Sequence, residues 1–146
     1  MKFRQLAFLA ACVSALSAPA YAETHITVLH VSDNAAQKAI WDQIANDYNA
    51  EHKGVKVEFK YLENEAFKAK LPTMLQSAES RPDLFYSWAG GVMQAQDKAG
   101  FLMDVTKDVA AAESDMVPAA VDAFKVDGKA VGVPFQMCEV VFYYNK

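Results

Sequence analysis

ITVLHVSDNAAQKAIWDQIANDYNAEHKGVKVEFKY, residues 26–61, is the stretch that decides the fold. It begins with an apolar, β-branched run, Ile26-Thr27-Val28-Leu29-His30-Val31, and then meets Ser32-Asp33-Asn34, residues that end strands and cap helices. Ala36, Ile40, Ile44, Ala45 and Tyr48 recur at three- and four-residue steps, with Trp41 beside them, which predicts an amphipathic helix over 35–52. Gly54 falls just past its end, where a left-handed residue is expected. Val55 to Tyr61 alternates apolar and charged residues, the pattern of a second strand.

The alternation continues down the chain. Asn64 can cap a helix reaching about Ser80, with Phe67, Leu71, Met74, Leu75 and Ala78 on one face and Pro72 predicting a kink or an offset start. Arg81-Pro82-Asp83 closes that helix, Leu84 to Trp88 reads as a short buried strand, and Ala89-Gly90-Gly91 turns into a helix from Val92 to Ala99. Further on, Asp104-Val105-Thr106 begins a short turn or helix, and Ser114 is expected to cap another helix running to Phe124. Asp127-Gly128 between short apolar runs is a hairpin signal, and Val140 to Tyr144 reads as a last strand. The order is that of an α/β protein with a mostly parallel sheet flanked by helices.

The front end reads as an export signal. Lys2 and Arg4 precede an apolar run from Leu6 to Ala18, and Ala20-Tyr21-Ala22 offers a signal-peptidase site, so residues 1–22 are expected to be removed. The run is shorter than the ~20 residues of a membrane span. Leu9-Ala10-Ala11-Cys12 is spelled like a lipoprotein box, and a lipid anchor on Cys12 is the alternative to a free periplasmic product. Cleavage takes away two positive charges and no negative one from a chain of formal net charge −4. So acidic a surface argues against nucleic acid and anionic lipid as partners. Only Cys138 would survive cleavage, so no internal disulfide is expected, and its thiol reads as a small core hydrophobe.

The sequence holds no catalytic constellation. His25, His30 and His52 lack Cys or His neighbours at ligand spacing, and no nucleophile elbow, zinc-protease helix or phosphate loop is present. Neither catalytic residues, nor a metal, nor a cofactor is therefore expected. What the pattern does supply is a set of loops, because parallel strands bring their carboxyl ends to one edge and ligands bind there. Ser32-Asp33-Asn34, Glu63-Asn64-Glu65 and Trp88-Ala89-Gly90-Gly91 fall in such loops. Carboxylates and amides suit hydroxyls, glycines admit a ligand close to the backbone, and an indole offers a flat apolar face, a combination that fits a sugar. Asp33 and Asn64 read equally well as helix caps, and Trp88 as core.

Arg81-Pro82-Asp83-Leu84-Phe85-Tyr86-Ser87-Trp88-Ala89-Gly90-Gly91, followed by Ala99-Gly100-Phe101-Leu102-Met103-Asp104-Val105-Thr106, resembles a region of family 1 extracellular solute-binding proteins. Phe67-Lys68-Ala69-Lys70-Leu71, Gly132-Val133-Pro134-Phe135 and Val141-Phe142-Tyr143-Tyr144-Asn145-Lys146 resemble other segments of the same family, the binding components of ATP-driven importers. The resemblance implies a periplasmic-binding-protein-like lobe over 23–146, cut near the first crossover strand, with a second lobe absent. It also implies a non-enzymatic, periplasmic protein, monomeric when full length, that hands an oligosaccharide or polyol to the membrane permease of an ABC importer. By position, ligand contacts are implied near Asp33, Glu65 and Trp88 and in the loop from Gln136 to Glu139, in addition to Gly90, which the residue reading singles out for close backbone approach. In that loop the glutamate of related maltose-type proteins falls on Cys138, with Glu139 one place later, and one place in a strand reverses the side chain. A non-sugar solute of the same fold class (a polyamine, a metal ion or another small ion) and a fragment of a secreted enzyme are the alternatives.

Overall fold

A computed structural model describes residues 23–137 and 142–145. The expected signal, Cys138, Glu139 and the first half of the expected last strand lie outside the described residues, and 142–144 are not in a strand. In chain order the elements are β1 (Thr24–His30), α1 (Ala35–Glu51), β2 (Val55–Tyr61), α2 (Asn64–Gln76), β3 (Leu84–Phe85), α3 (Gly91–Lys98), α4 (Thr106–Glu113), α5 (Pro118–Ala123), β4 (Lys125–Val126) and β5 (Lys129–Ala130). Two compact units divide the chain, one ending at Phe67 and joined by Pro82–Leu84, the other made of Lys68–Arg81 and Phe85 onward.

In the first unit β1 and β2 run parallel, from Thr24 opposite Val55 to His30 opposite Tyr61, within a sheet of order β2-β1-β3. The Leu62 amide donates to the His30 carbonyl at 3.0 Å, carrying the ladder into the loops at the carboxyl edge. One face of the sheet is covered by α1. Trp41 stacks on Phe59 with ring centroids 5.0 Å apart, and Ala45 is buried one turn later. Asn49, a further turn on, donates to the Val57 carbonyl at 3.0 Å and accepts the Val57 amide at 2.7 Å. The open edge of β2 is thereby partly covered from above.

The helical period read from the sequence is right and its phase is shifted. Trp41, Ala45 and Asn49 point inward, while Ile40 and Ile44, expected in the buried stripe, are 55% and 45% exposed. Phe59 and the edge of β2 select the inward face, because they offer a ring to stack on and backbone groups to satisfy.

Two helix boundaries move for identifiable reasons. The helix α2 runs through Pro72 and stops at Gln76, short of Ser80. Arg81 donates from Nε to the Leu75 carbonyl at 2.8 Å, and the Arg81 amide donates to the Ser77 carbonyl, so the chain closes on itself there. Ser114 does not open a helix. Its hydroxyl donates to the Ala111 carbonyl at 2.8 Å and it closes α4, whereas α5 starts at Pro118, whose missing N–H suits a first helical position. The strand expected over 84–88 contracts to β3, since Ser87 turns to donate to the Gln96 side chain of α3 at 2.7 Å. The hairpin stands as read: β4 and β5 pair antiparallel across Asp127 and Gly128, at φ 50° and 79°.

Buried apolar residues of the second unit include Leu71, Leu75, Met93, Val121 and Ala130. Thr106 ties α4 to the hairpin. Its hydroxyl donates to Asp104 Oδ1 at 2.7 Å and accepts the amide of buried Ala130 at 2.9 Å, while the Val105 amide donates to the Ala130 carbonyl.

Candidate functional site

The loops after β1 and β2 leave one edge of the first unit because those strands are parallel. Asp33 lies in the first loop and Glu65 in the opening turn of α2 after the second. The capping work falls to their neighbours. Asn34 Oδ1 accepts the Ala36 amide at 2.8 Å, and Glu63 Oε2 accepts the amides of Glu65 and Ala66 at 2.9 and 3.0 Å. The cap readings of Asp33 and Asn64 are therefore corrected: the Asp33 carboxylate stands exposed at the edge, and Asn64 instead donates to Glu65 Oε1 at 3.0 Å.

Beneath the first loop lies a buried polar centre. His30 and Ser32 are both buried, and the Ser32 amide donates to His30 Nδ1 at 3.2 Å. The Ser32 hydroxyl accepts Trp41 Nε1–H at 3.3 Å. Trp41, Phe59 and Tyr61 surround the imidazole at centroid distances of 6.2, 6.2 and 5.9 Å, and the Lys38 ammonium sits 3.7 Å from the centre of the Tyr61 ring. Burial first, and then the Lys38 charge, holds the His30 pKa below its ordinary value, against the pull of Asp42.

In the second unit a groove of about 330 Å³ is lined by Trp88 and Gln136, together with Tyr86, Phe124, Pro134 and Met137. The Tyr86 ring meets Trp88 edge-on at 5.6 Å and is itself backed by Phe135, edge-on at 5.9 Å. Lys68 brings its ammonium to 5.7 Å from the Trp88 ring. Ala119, Ala120 and Ala123 of α5 line the same space, and their small side chains leave it open. Gly90 precedes α3 with φ 90° and ψ −140°, a backbone that favours glycine.

Of the five residues singled out from the sequence, Trp88 and Gln136 thus share one groove, with Gly90 in the turn that follows Trp88. Asp33 and Glu65 share the sheet edge of the first unit. Tyr86 and the alanines of α5 escaped sequence reasoning. Tyr86 stands two places before Trp88, and in extended chain that spacing puts both on one side, which carried a signal for the first; small residues on a short helix carry almost none. Among the described residues, no group of three or more His, Cys, Asp or Glu side chains is placed to hold a metal ion.

By architecture this is an α/β protein: in its first unit parallel strands deliver polar loops to one edge, and its second unit holds an aromatic-lined groove. The chain belongs to the bacterial extracellular solute-binding protein family, whose model matches residues 32–146. An uncharacterized ABC transporter extracellular-binding protein of Pyrococcus horikoshii is 28% identical over 71% of this chain and 24% of its own. A structure from work on xylan utilization by the thermophilic bacterium Caldanaerobius polysaccharolyticus superposes with a TM-score of 0.67 at 25% identity, over 75% of this chain and 28% of that one. An ABC substrate-binding protein from Listeria monocytogenes, in complex with cycloalternan, gives a TM-score of 0.59 at 28% identity, over 73% and 27% of the two chains. The chain spans about a quarter of the length of these relatives.

Proposed function

We propose that this chain is the first lobe of an exported binding protein that captures a sugar, an oligosaccharide or a polyol, for the permease of an ABC importer. The observation that carries the reading is the groove in which Trp88 and Gln136 line one space with Tyr86. An indole face takes the C–H side of a pyranose ring, and a carboxamide next to it both donates to and accepts from hydroxyls. The glycine backbone at Gly90 leaves room for close approach, and Asp33 and Glu65, at the sheet edge of the first unit, are acceptors that suit hydroxyls in their own right. The relatives' association with xylan and with cycloalternan supports the same ligand class. Residues 1–22 act as the signal that sends the chain to the periplasm, and a second lobe supplies the opposing half of the cleft and sets selectivity. In this reading the protein performs no chemistry and works as a monomer.

The test is a thermal-shift panel on the complete gene product, with xylotriose, maltotriose, chitotriose, spermidine and divalent cations. A ligand that binds only the folded state raises the melting temperature by mass action. Stabilisation by a trisaccharide supports the reading; stabilisation by spermidine or a cation alone, or turnover of a sugar, overturns it.

A further inference from the structure

Asp33 owes its place to the residues just before it. The Ser32 amide can donate to His30 Nδ1 only if that nitrogen carries no proton, so the ring is the neutral tautomer with hydrogen on Nε2. The same serine accepts from Trp41 on α1 through its hydroxyl. One buried residue is therefore gripped from two sides, by the end of β1 through its amide and by α1 through its side chain. Asp33 follows it directly, and Asn34 begins the helix.

We propose that His30 is a positioning residue, a latch that fixes the Ser32–Asp33 loop in its neutral form and releases it when the ring takes up a proton. A proton on Nδ1 converts the acceptor into a donor facing the Ser32 N–H, so the bond is lost and two donors confront each other. The groups around the ring do little to welcome the cation. From α1 come the Lys38 ammonium, which opposes it, the Asp42 carboxylate, which favours it, and the Trp41 indole. From β2 come the Phe59 and Tyr61 rings, and Lys38 already occupies a face of Tyr61. Release of the loop is the alternative open to the protonated centre. The consequence for ligand capture rests on the proposed role of Asp33: the site binds well near neutral pH and loses affinity in acid.

The experiment is heteronuclear NMR on the protein at pH 7.5 and 5.0, with His30→Asn and His30→Phe variants. Asparagine places Oδ1 where Nδ1 stands and has no proton to gain; phenylalanine keeps the ring and removes the acceptor. The wild type is expected to show an unprotonated Nδ1 at pH 7.5, and a Ser32 amide protection factor that falls about tenfold in acid, the equivalent of one hydrogen bond. His30→Asn is expected to hold that protection at both pH values, and His30→Phe to lack it at both. A protonated Nδ1 at pH 7.5 overturns the latch, as does equal Ser32 protection in the two variants. Titration of the same samples with xylotriose, maltotriose and chitotriose separates the two proposals. If the latch behaves as described and none of the three sugars binds, the ligand assignment fails and the latch stands.

Discussion

Asp83 reaches across 56 residues of sequence to hold Thr27 by hydrogen bonds from both its side chain and its backbone. One carboxylate oxygen accepts the Thr27 amide at 2.8 Å and its hydroxyl at 3.0 Å, and the Asp83 amide donates to the Thr27 carbonyl at 3.1 Å. With β3 only two residues long, this side chain does for β1 what a longer ladder would do. The bonds from Thr27 also hold the Asp83 pKa below its ordinary value of 3.8. Its contribution is fully present above that value and disappears as the pH falls through the lower folded-state pKa.

Asp83→Ala is therefore expected to lower stability by about 1 kcal/mol at pH 7, at the modest end for a charged acceptor because the site is exposed to solvent. Urea titrations at pH 7 and pH 2.5 check it. The deficit should be larger at the first pH than at the second; equal deficits at both would show that the carboxylate charge plays no part.

Asn49 meets both backbone groups of Val57 on the outer edge of β2, and both partners are partly buried. Asn49→Ala should lower stability by about 1–3 kcal/mol, since two backbone groups lose their partners at once. Asn49→Asp, which keeps one acceptor and loses the donor, should fall between. Denaturation midpoints and hydrogen exchange at Val57 report it, and an unchanged Val57 exchange rate would show that solvent serves the edge as well.

Thr106→Val removes the one hydroxyl that donates to Asp104 and accepts from Ala130, leaving the amide of a fully buried residue without its partner. A loss of about 1–3 kcal/mol is expected, with Thr106→Ser recovering most of it, as measured by thermal denaturation. Unchanged stability in Thr106→Val would show that the hydroxyl contributes nothing.

These contacts mark how far the sequence could be read. The strand-helix-strand unit at the front was legible because two periods follow each other without interruption. The phase of α1 was legible only in part: Ala45, in the expected stripe, is buried, but Ile40/Ile44 and Trp41/Ala45 both keep helical spacing. Only Phe59 and the edge of β2 decide between them. The caps were open for a related reason: Asp33 and Asn34 are both capping residues, and Asn64 is a better intrinsic cap than the Glu63 that does the work, so the choice rests on backbone direction. Trp88 and Gln136 were singled out, one from its chemistry and one from family resemblance. The space between them depends on Ala119, Ala120 and Ala123, which contribute by being small and leave no mark in composition.

The most direct test of the account is calorimetric titration of the complete protein and its Trp88→Ala variant, with the trisaccharide that best stabilises the wild type. Stacking on the indole predicts saturable binding by the wild type and an affinity at least about tenfold weaker in the variant, or roughly 1.4 kcal/mol. Trp88→Phe should lie between the two. An unchanged dissociation constant in Trp88→Ala, or no binding of any sugar by the wild type, would contradict the claim that this groove holds a sugar ring.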